Sequence, residues 1–305
     1  MKHIPIKVTP HLFQLGTNSF PVYLSMGEHG MIIEGGTGST FDIIVEQIDS
    51  LGIDPANIRY IALTHSHSDH VGAVPHFKRR FPHIKVLGGP VTEKILKKER
   101  FLKDFLAADK MICDILKDKG DIYEMPPVLE KYAFDVDQVV SEGEKIELGQ
   151  GISWIVYNTP GHSPCHISLF EEKEKSLAIG DIAGYFDPEM DIFWPNYFYS
   201  LEEYCKSIIR MMDIPGNRTL LSHNGAIEIN SRTHLAKALK ATETYHKEMI
   251  DRLDKGESNE EICRSKADWI VSIGALASYN VLLFLCDLLI KSSQKDRDKE
   301  LFNLS

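Results

Sequence analysis

The run His65-Ser66-His67-Ser68-Asp69-His70 sets four potential metal ligands within six residues, directly behind the apolar stretch RYIALT (59–64). A short apolar run of this kind reads as a buried strand, so the polar run begins where the strand ends. If extended geometry continues for a few residues, side chains alternate with period two, and His65, His67 and Asp69 share a face. His70 then lies where the chain turns toward the next helix and points elsewhere, so one segment can feed two neighbouring ions. Imidazole and carboxylate are ligands for zinc, iron or manganese, and no thiolate in the run decides among them. A functionless polar loop is the plain alternative, but such loops seldom gather three histidines and an aspartate.

Three further apolar strands each deliver a ligand-type residue at or just beyond their end. WIVYNTPGH (154–162) places His162 in a glycine-supported turn, SLAIGD (176–181) places Asp181 after Gly180, and TLLSHNG (219–225) places His223 before Asn224-Gly225. Taken singly, Asp181 reads as a turn cap and His223 as a loop histidine. Repetition at several strand ends argues for a site, because a sheet edge holds such side chains rigidly. His166, in PGHSPCHIS, reads as a supporting or packing residue, and Cys165 as a buried thiol.

The rest of the chain alternates strands and helices, which predicts an α/β architecture. Strands are expected at 22–26, from 31 into the glycine turn at 35–38, and at 84–88, 152–157 and 166–170, with helices at 42–51, 71–80 and 201–212. Residues 91–119 read as one long helix with Ile95, Phe101, Leu102, Phe105, Met111 and Ile112 on its apolar side, continued by Ile115 and Leu116. From about 230 onward the pattern is all helix, over 231–254, 258–267 and 270–291. The expected division is a core of residues 1–228, with a helical insertion near 91–119, followed by a helical appendage at 229–305.

Across its 305 residues the chain carries 34 Lys+Arg against 44 Asp+Glu, a net charge of −10, which repels phosphate backbones and argues against a nucleic-acid partner. Five cysteines, odd in number and without a C-x-x-C pair, read as reduced thiols. With no apolar run in MKHIPIKVTP, the expected location is the cytoplasm. IVSIGALASYNVLLFLCDLLI (270–290) is long enough to span a bilayer, yet it holds Ser272, Ser278, Asn280 and Asp287. A buried helix at a homodimer interface is the better reading, with no membrane contact.

With these residues in place, the sequence resembles the metallo-β-lactamase-fold hydrolases over about residues 8–228. Their H-x-H-x-D-H motif is complete at 65–70, and their later histidine, carboxylate and final histidine match His162, Asp181 and His223. The resemblance implies a four-layer αββα sandwich, here with a helical insertion and a C-terminal helical cap. It implies two divalent metal ions (Zn, Fe or Mn), one held by His65, His67 and His162, the other by Asp69, His70 and His223, with Asp181 bridging. β-Lactamases of the main type carry cysteine where Asp181 stands, and diiron oxygen reductases carry glutamate where His67 stands, so both branches are disfavoured. The remaining pattern is similar to glyoxalase II, lactonases and thioesterase-like members. Glu34 in IIEGG, GDIAGYFD (180–187) and the helical tail look closest to the quinolone-signal response thioesterases.

What the resemblance implies is hydrolysis of a small-molecule ester, thioester or lactone by a water that the two ions acidify. Asp69 and Asp181 are the catalytic carboxylates, Asp69 orienting the nucleophile and shuttling a proton. A small-molecule phosphodiesterase and a regulatory protein retaining its metal centre are the alternatives. Phe101, Phe105, Met111 and the apolar face of 271–289 form an acyl pocket unless those stripes pack on each other, the commoner fate of amphipathic helices. Tyr185, Phe186, Trp194 and Tyr197 are expected at its entrance. Lys94, Lys97, Lys98 and Arg100 read as a solvated helix face.

Overall fold

The computed structural model describes residues 3–303, apart from the side chains of Glu99 and Leu102; the place expected for Leu102 on the apolar face thus lies outside the described residues. In chain order come β1 (Ile6–Thr9), β2 (Leu12–Gly16), β3 (Pro21–Met26), β4 (Gly30–Ile33), α1 (Phe41–Ser50) and β5 (Ile58–Ala62). Then follow α2 (Ser68–Val71), α3 (Val74–Arg80), β6 (Lys85–Gly88), α4 (Pro90–Leu96), α5 (Glu99–Asp118) and β7 (Gln138–Val139). These seven strands form one sheet in the order β1 to β7, antiparallel through β4 and parallel beyond it.

The second sheet is built from β8 (Lys145–Gly149), β9 (Ile152–Asn158), β10 (Ile167–Glu171) and β11 (Ser176–Gly180). After a hairpin, β12 (Tyr185–Asp187) and β13 (Ile192–Trp194), and helix α6 (Leu201–Met211), it is completed by β14 (Arg218–Leu221) and β15 (Ala226–Ile227). Its order is β15-β14-β11-β10-β9-β8. Helices α7 (Ser231–Asp254), α8 (Asn259–Ser272) and α9 (Tyr279–Lys295) end the chain.

Side-chain alternation assembles the layers. In β3 and β4, Val22, Leu24 and Ile32 turn outward onto Ile44 and Ile48 of α1 and Val74 and Phe77 of α3. Tyr23, Met31 and Ile33 turn inward and meet Trp154, Val156 and Leu169 of the second sheet. Leu177 and Ile179 of β11 leave that interface on the far side and join Ile208, Leu235 and Leu289 under α6 to α9. The result is the expected αββα sandwich, with the C-terminal helices covering the outer face of the second sheet.

Three expectations are corrected. Extended backbone persists only to His67, the residue capping α2, so Asp69 and His70 project from a helical turn and the strand alternation does not reach them. The 91–119 segment is two helices, because Lys98 is extended (ψ 127°); the charged run KKER at the break holds no glycine or proline to signal it. The apolar stretch 270–290 is likewise divided, ending α8 at Ser272 and restarting at Tyr279. Gly274 sits between them at φ +81°, a left-handed conformation that closes a helix and that side chains resist. Among the described residues no helix is long and apolar enough to cross a membrane.

Candidate metal centre

All seven residues singled out in the sequence converge at one edge of the sandwich. His65 and His67 follow β5, Asp69 and His70 ride on α2, and His162, Asp181 and His223 follow β9, β11 and β14. Their donor atoms group as His65/His67/His162, His65/His70/Asp181 and Asp69/His70/His223, each group within 4.8 Å. His67 Nδ1 lies 3.0 Å from His65 Nε2 and 2.9 Å from His162 Nε2. Asp181 reaches both halves: Oδ2 is 3.4 Å from His162 Nε2 and 3.5 Å from His70 Nε2, while Oδ1 is 3.7 Å from His223 Nε2. Asp69 Oδ2 lies 3.3 Å from His70 Nε2 and 3.6 Å from His223 Nε2.

The outer nitrogen of most imidazoles is tied, which fixes the tautomer presented to the cluster. His162 Nδ1 donates to the Asn196 carbonyl (2.9 Å), and His223 Nδ1 to the Ser19 carbonyl (3.0 Å). His65 Nδ1 lies 3.0 Å from Thr64 Oγ1, and that hydroxyl in turn donates to Glu34. His70 Nδ1 donates to Glu34 Oε2 (3.0 Å). Glu34 also accepts from Thr64 Oγ1 (2.9 Å) and Ser222 Oγ (2.7 Å), so one buried carboxylate joins the ends of β4, β5 and β14.

His166 supports the site without entering it. Its Nε2 accepts the Asp181 backbone N–H at 2.9 Å and its Nδ1 donates to Thr159 Oγ1 at 2.8 Å. Gly180 makes this approach available: a Cβ there would stand 2.2 Å from His166 Nε2.

Burial strongly disfavours charge on His65 and His162; it outweighs the Asp181 carboxylate and brings His162 down to about 3. The His65/His67/His162 triad therefore presents uncharged imidazoles, and with the outer nitrogens of His65 and His162 acting as donors, two lone pairs point at one spot. Burial also opposes charge on His70, but the carboxylates of Asp69, Glu34 and Asp181 overcome it and hold its pKa well above the usual imidazole range. Asp69 and Asp181 are lowered despite burial, His70 and His223 being the main cause.

This donor set fits divalent metal ions. Tetrahedral bonds of 2.0–2.1 Å would separate ligand nitrogens by about 3.3 Å, close to the observed spacings. His70 Nε2 is buried without a hydrogen-bond partner, and the Nε2 atoms of His70 and His223 crowd against the oxygens of Asp69 and Asp181; a cation among them would satisfy all four groups.

Above the cluster opens a cavity of about 700 Å3. His67, Asp69, His162, Asp181 and His223 line its floor; Phe101, Phe105 and Met111 of α5 line one wall, and Val281, Phe284 and Leu285 of α9 another. Tyr185 and Trp194 line it as expected, whereas Phe186 and Tyr197 do not. Phe186 packs in the core against Phe193, and Tyr197 is fully buried with its hydroxyl 2.9 Å from Ser293 Oγ. Phe20, Phe198 and the 274–277 segment also line it, together with the polar Asp104, Lys119, Asp121 and Asn224.

A four-layer αββα sandwich with imidazoles and carboxylates gathered at one edge is a scaffold whose donor set suits divalent metal ions. The chain belongs to the metallo-beta-lactamase superfamily, whose profile matches residues 15–223. It is 27% identical over 146 residues to the hydroxyacylglutathione hydrolase GloC of Haemophilus influenzae, covering 48% of this chain and 58% of that protein. An atrochrysone carboxyl ACP thioesterase of Pseudocercospora fijiensis is 26% identical over 168 residues, covering 54% of this chain and 37% of that one. The chain thus spans about half the length of the curated relatives it matches. Among solved structures, a metallo-beta-lactamase family protein of Thermus thermophilus shares the fold with TM-score 0.65 at 17% identity, over 95% of each chain.

Proposed function

We propose that the protein is a dinuclear metal-dependent hydrolase of ester or thioester bonds. One ion would be held by His65, His67 and His162 and a second by Asp69, His70 and His223, with Asp181 between them. When bound, such ions polarise the scissile carbonyl and acidify the attacking water. Asp69 is the carboxylate for the proton, its side chain 21% exposed at the cavity floor against 5% for Asp181. With Oδ2 facing His70 and His223, Oδ1 is the oxygen left to receive a proton from water and release it to the departing thiolate or alkoxide. Asp181 holds the two halves of the cluster in register.

The observation that carries this reading is the cavity on the cluster: its walls are mostly apolar, and among the described residues Lys119 is the one lysine or arginine that lines it. Away from the floor, the described lining offers a phosphodiester Asp104 and Asp121 against the one Lys119, so a neutral ester or thioester is preferred. GloC and the ACP thioesterase carry names for chemistry of that kind.

The test is elemental analysis of protein purified without chelator, paired with activity on a thioester, a lactone and bis-p-nitrophenyl phosphate. About two metals per chain are expected, with thioester or ester turnover, and both are expected to fall together in Asp181→Asn. A chain that binds no metal even after reconstitution overturns the proposal.

A further inference from the structure

We propose that the cavity is an acyl-chain site that takes an extended, purely apolar medium- or long-chain acyl group, with the scissile carbonyl at the metal cluster. This deepens the hydrolase reading and rests on it.

The argument starts from α9, which carries two apolar stripes. Leu282, Cys286 and Leu289 are fully buried where the helix packs on α7 and α8. Val281, Phe284, Leu285 and Leu288 repeat at i, i+3, i+4 and i+7 and turn into the cavity instead. A covering helix is held by one stripe; the second leaves Phe284 61% exposed. On the opposite wall, Phe101, Phe105, Ala108 and Ile112 of α5 make a matching stripe at i, i+4, i+7 and i+11. The Phe101 and Phe105 rings lie stacked, with centroids 5.8 Å apart.

Helix α5 is anchored to α2 and α4, and α9 to α7 and α8, so the two stripes face each other across the cavity. Apolar surface on both walls, continuous with the floor that holds Asp69 and His223, calls for an occupant that is apolar along its length and carries its reactive carbonyl at one end. A polar acyl group, such as one bearing hydroxyl or peptide groups, would leave the two facing stripes wet. The reaction remains hydrolysis: the water oxygen bonds to the acyl carbon and the C–S bond breaks with its electron pair on sulfur. The thiolate takes one water proton, and the acid is released as carboxylate and a proton.

The experiment uses the metal-loaded full chain and the neutral N-acetylcysteamine thioesters of acetate, butanoate, octanoate and dodecanoate. Alongside, binding of the matching S-alkyl thioethers, which cannot be hydrolysed, is measured by calorimetry. Each methylene should raise kcat/KM about fourfold until the cavity is filled, placing octanoyl about two-hundredfold above butanoyl. Thioether affinity should climb with the same slope. Phe284→Ser, on an exposed position and checked by circular dichroism, should lower the octanoyl-to-butanoyl ratio about tenfold. Thioester turnover with no rise along the series overturns the acyl-chain site and leaves the hydrolase reading standing. Thioethers that bind with the expected slope while no ester or thioester turns over overturn the hydrolase reading and leave the acyl-chain site standing. Thioether binding that ignores length, with Phe284→Ser dissociating a dimer, assigns the second stripe of α9 to a second copy of the chain and overturns the proposal.

Discussion

Glu34 is the residue on which the candidate metal centre leans most without belonging to it. It stands at φ 73°, a left-handed backbone that costs a non-glycine residue about 1–2 kcal/mol, and three side chains converge on its carboxylate. Truncating it strands the Thr64 and Ser222 hydroxyls and the His70 Nδ1–H in a buried setting. Glu34→Ala is therefore expected to lower stability by about 3 kcal/mol and metal affinity about 10–100-fold. Urea unfolding and competition against a chromophoric chelator would measure the two effects. Unchanged values would mean that the three donors find other partners. The sequence made the seven cluster residues legible because histidines and aspartates at strand ends are rare and patterned. It left the Ser19 and Asn196 carbonyls invisible, since a backbone oxygen has no letter of its own.

At the level of elements, α5 is fastened to the segment that carries the candidate ligands by Asp109, an acidic residue inside a charged helix. Its Oδ1 accepts the Gly38 N–H at 2.8 Å, and the carboxylate also lies against Gly72, just beyond α2. Burial pushes the Asp109 carboxyl up to about 6, with the Gly38 amide opposing and the Asp69 charge adding. The folded chain thus holds this proton more tightly than the unfolded one. Its contribution to stability is present below pH about 4 and is lost as pH rises to about 6, a fall of up to about 3 kcal/mol. Asp109→Asn keeps an acceptor for Gly38 and removes the titration, so its stability relative to the parent should grow between pH 4.5 and 7.5. Parallel urea midpoints at the two pH values would refute this. Helix type and extent were readable wherever apolar periodicity was strong, as in α1, α6 and α7. The break at Lys98 and the β12–β13 hairpin were not, because the first lies in a run of charge and the second in a run of aromatics whose spacing fits loop and strand equally well.

Over the whole molecule, the hydrophobic layers are complete without the cluster: one apolar layer lies between the sheets, one under α1 and α3, and one under α6 to α9. Removing metal by chelation should therefore leave the far-ultraviolet circular dichroism unchanged. Adding metal back at a thousandfold over its dissociation constant should stabilise the chain by about 4 kcal/mol, read as a rise in melting temperature. Collapse of the spectrum on chelation would show that the ions help to build the fold. The order of layers was legible from alternating apolar strands and the terminal run of helices. Which aromatics face the cavity and which face the core was not, since Phe186 and Tyr197 have the same composition around them as Tyr185 and Trp194.

The Glu34 carboxylate links the ends of β4, β5 and β14 through hydrogen bonds that need no ion. Imidazole and carboxylate discriminate weakly among zinc, iron and manganese. The occupant of a purified sample should accordingly follow supply: the same polypeptide grown in iron-rich or in zinc-rich medium should emerge as two differently charged stocks, and a comparison of their turnover would be a comparison of growth conditions unless the metal were set afterwards.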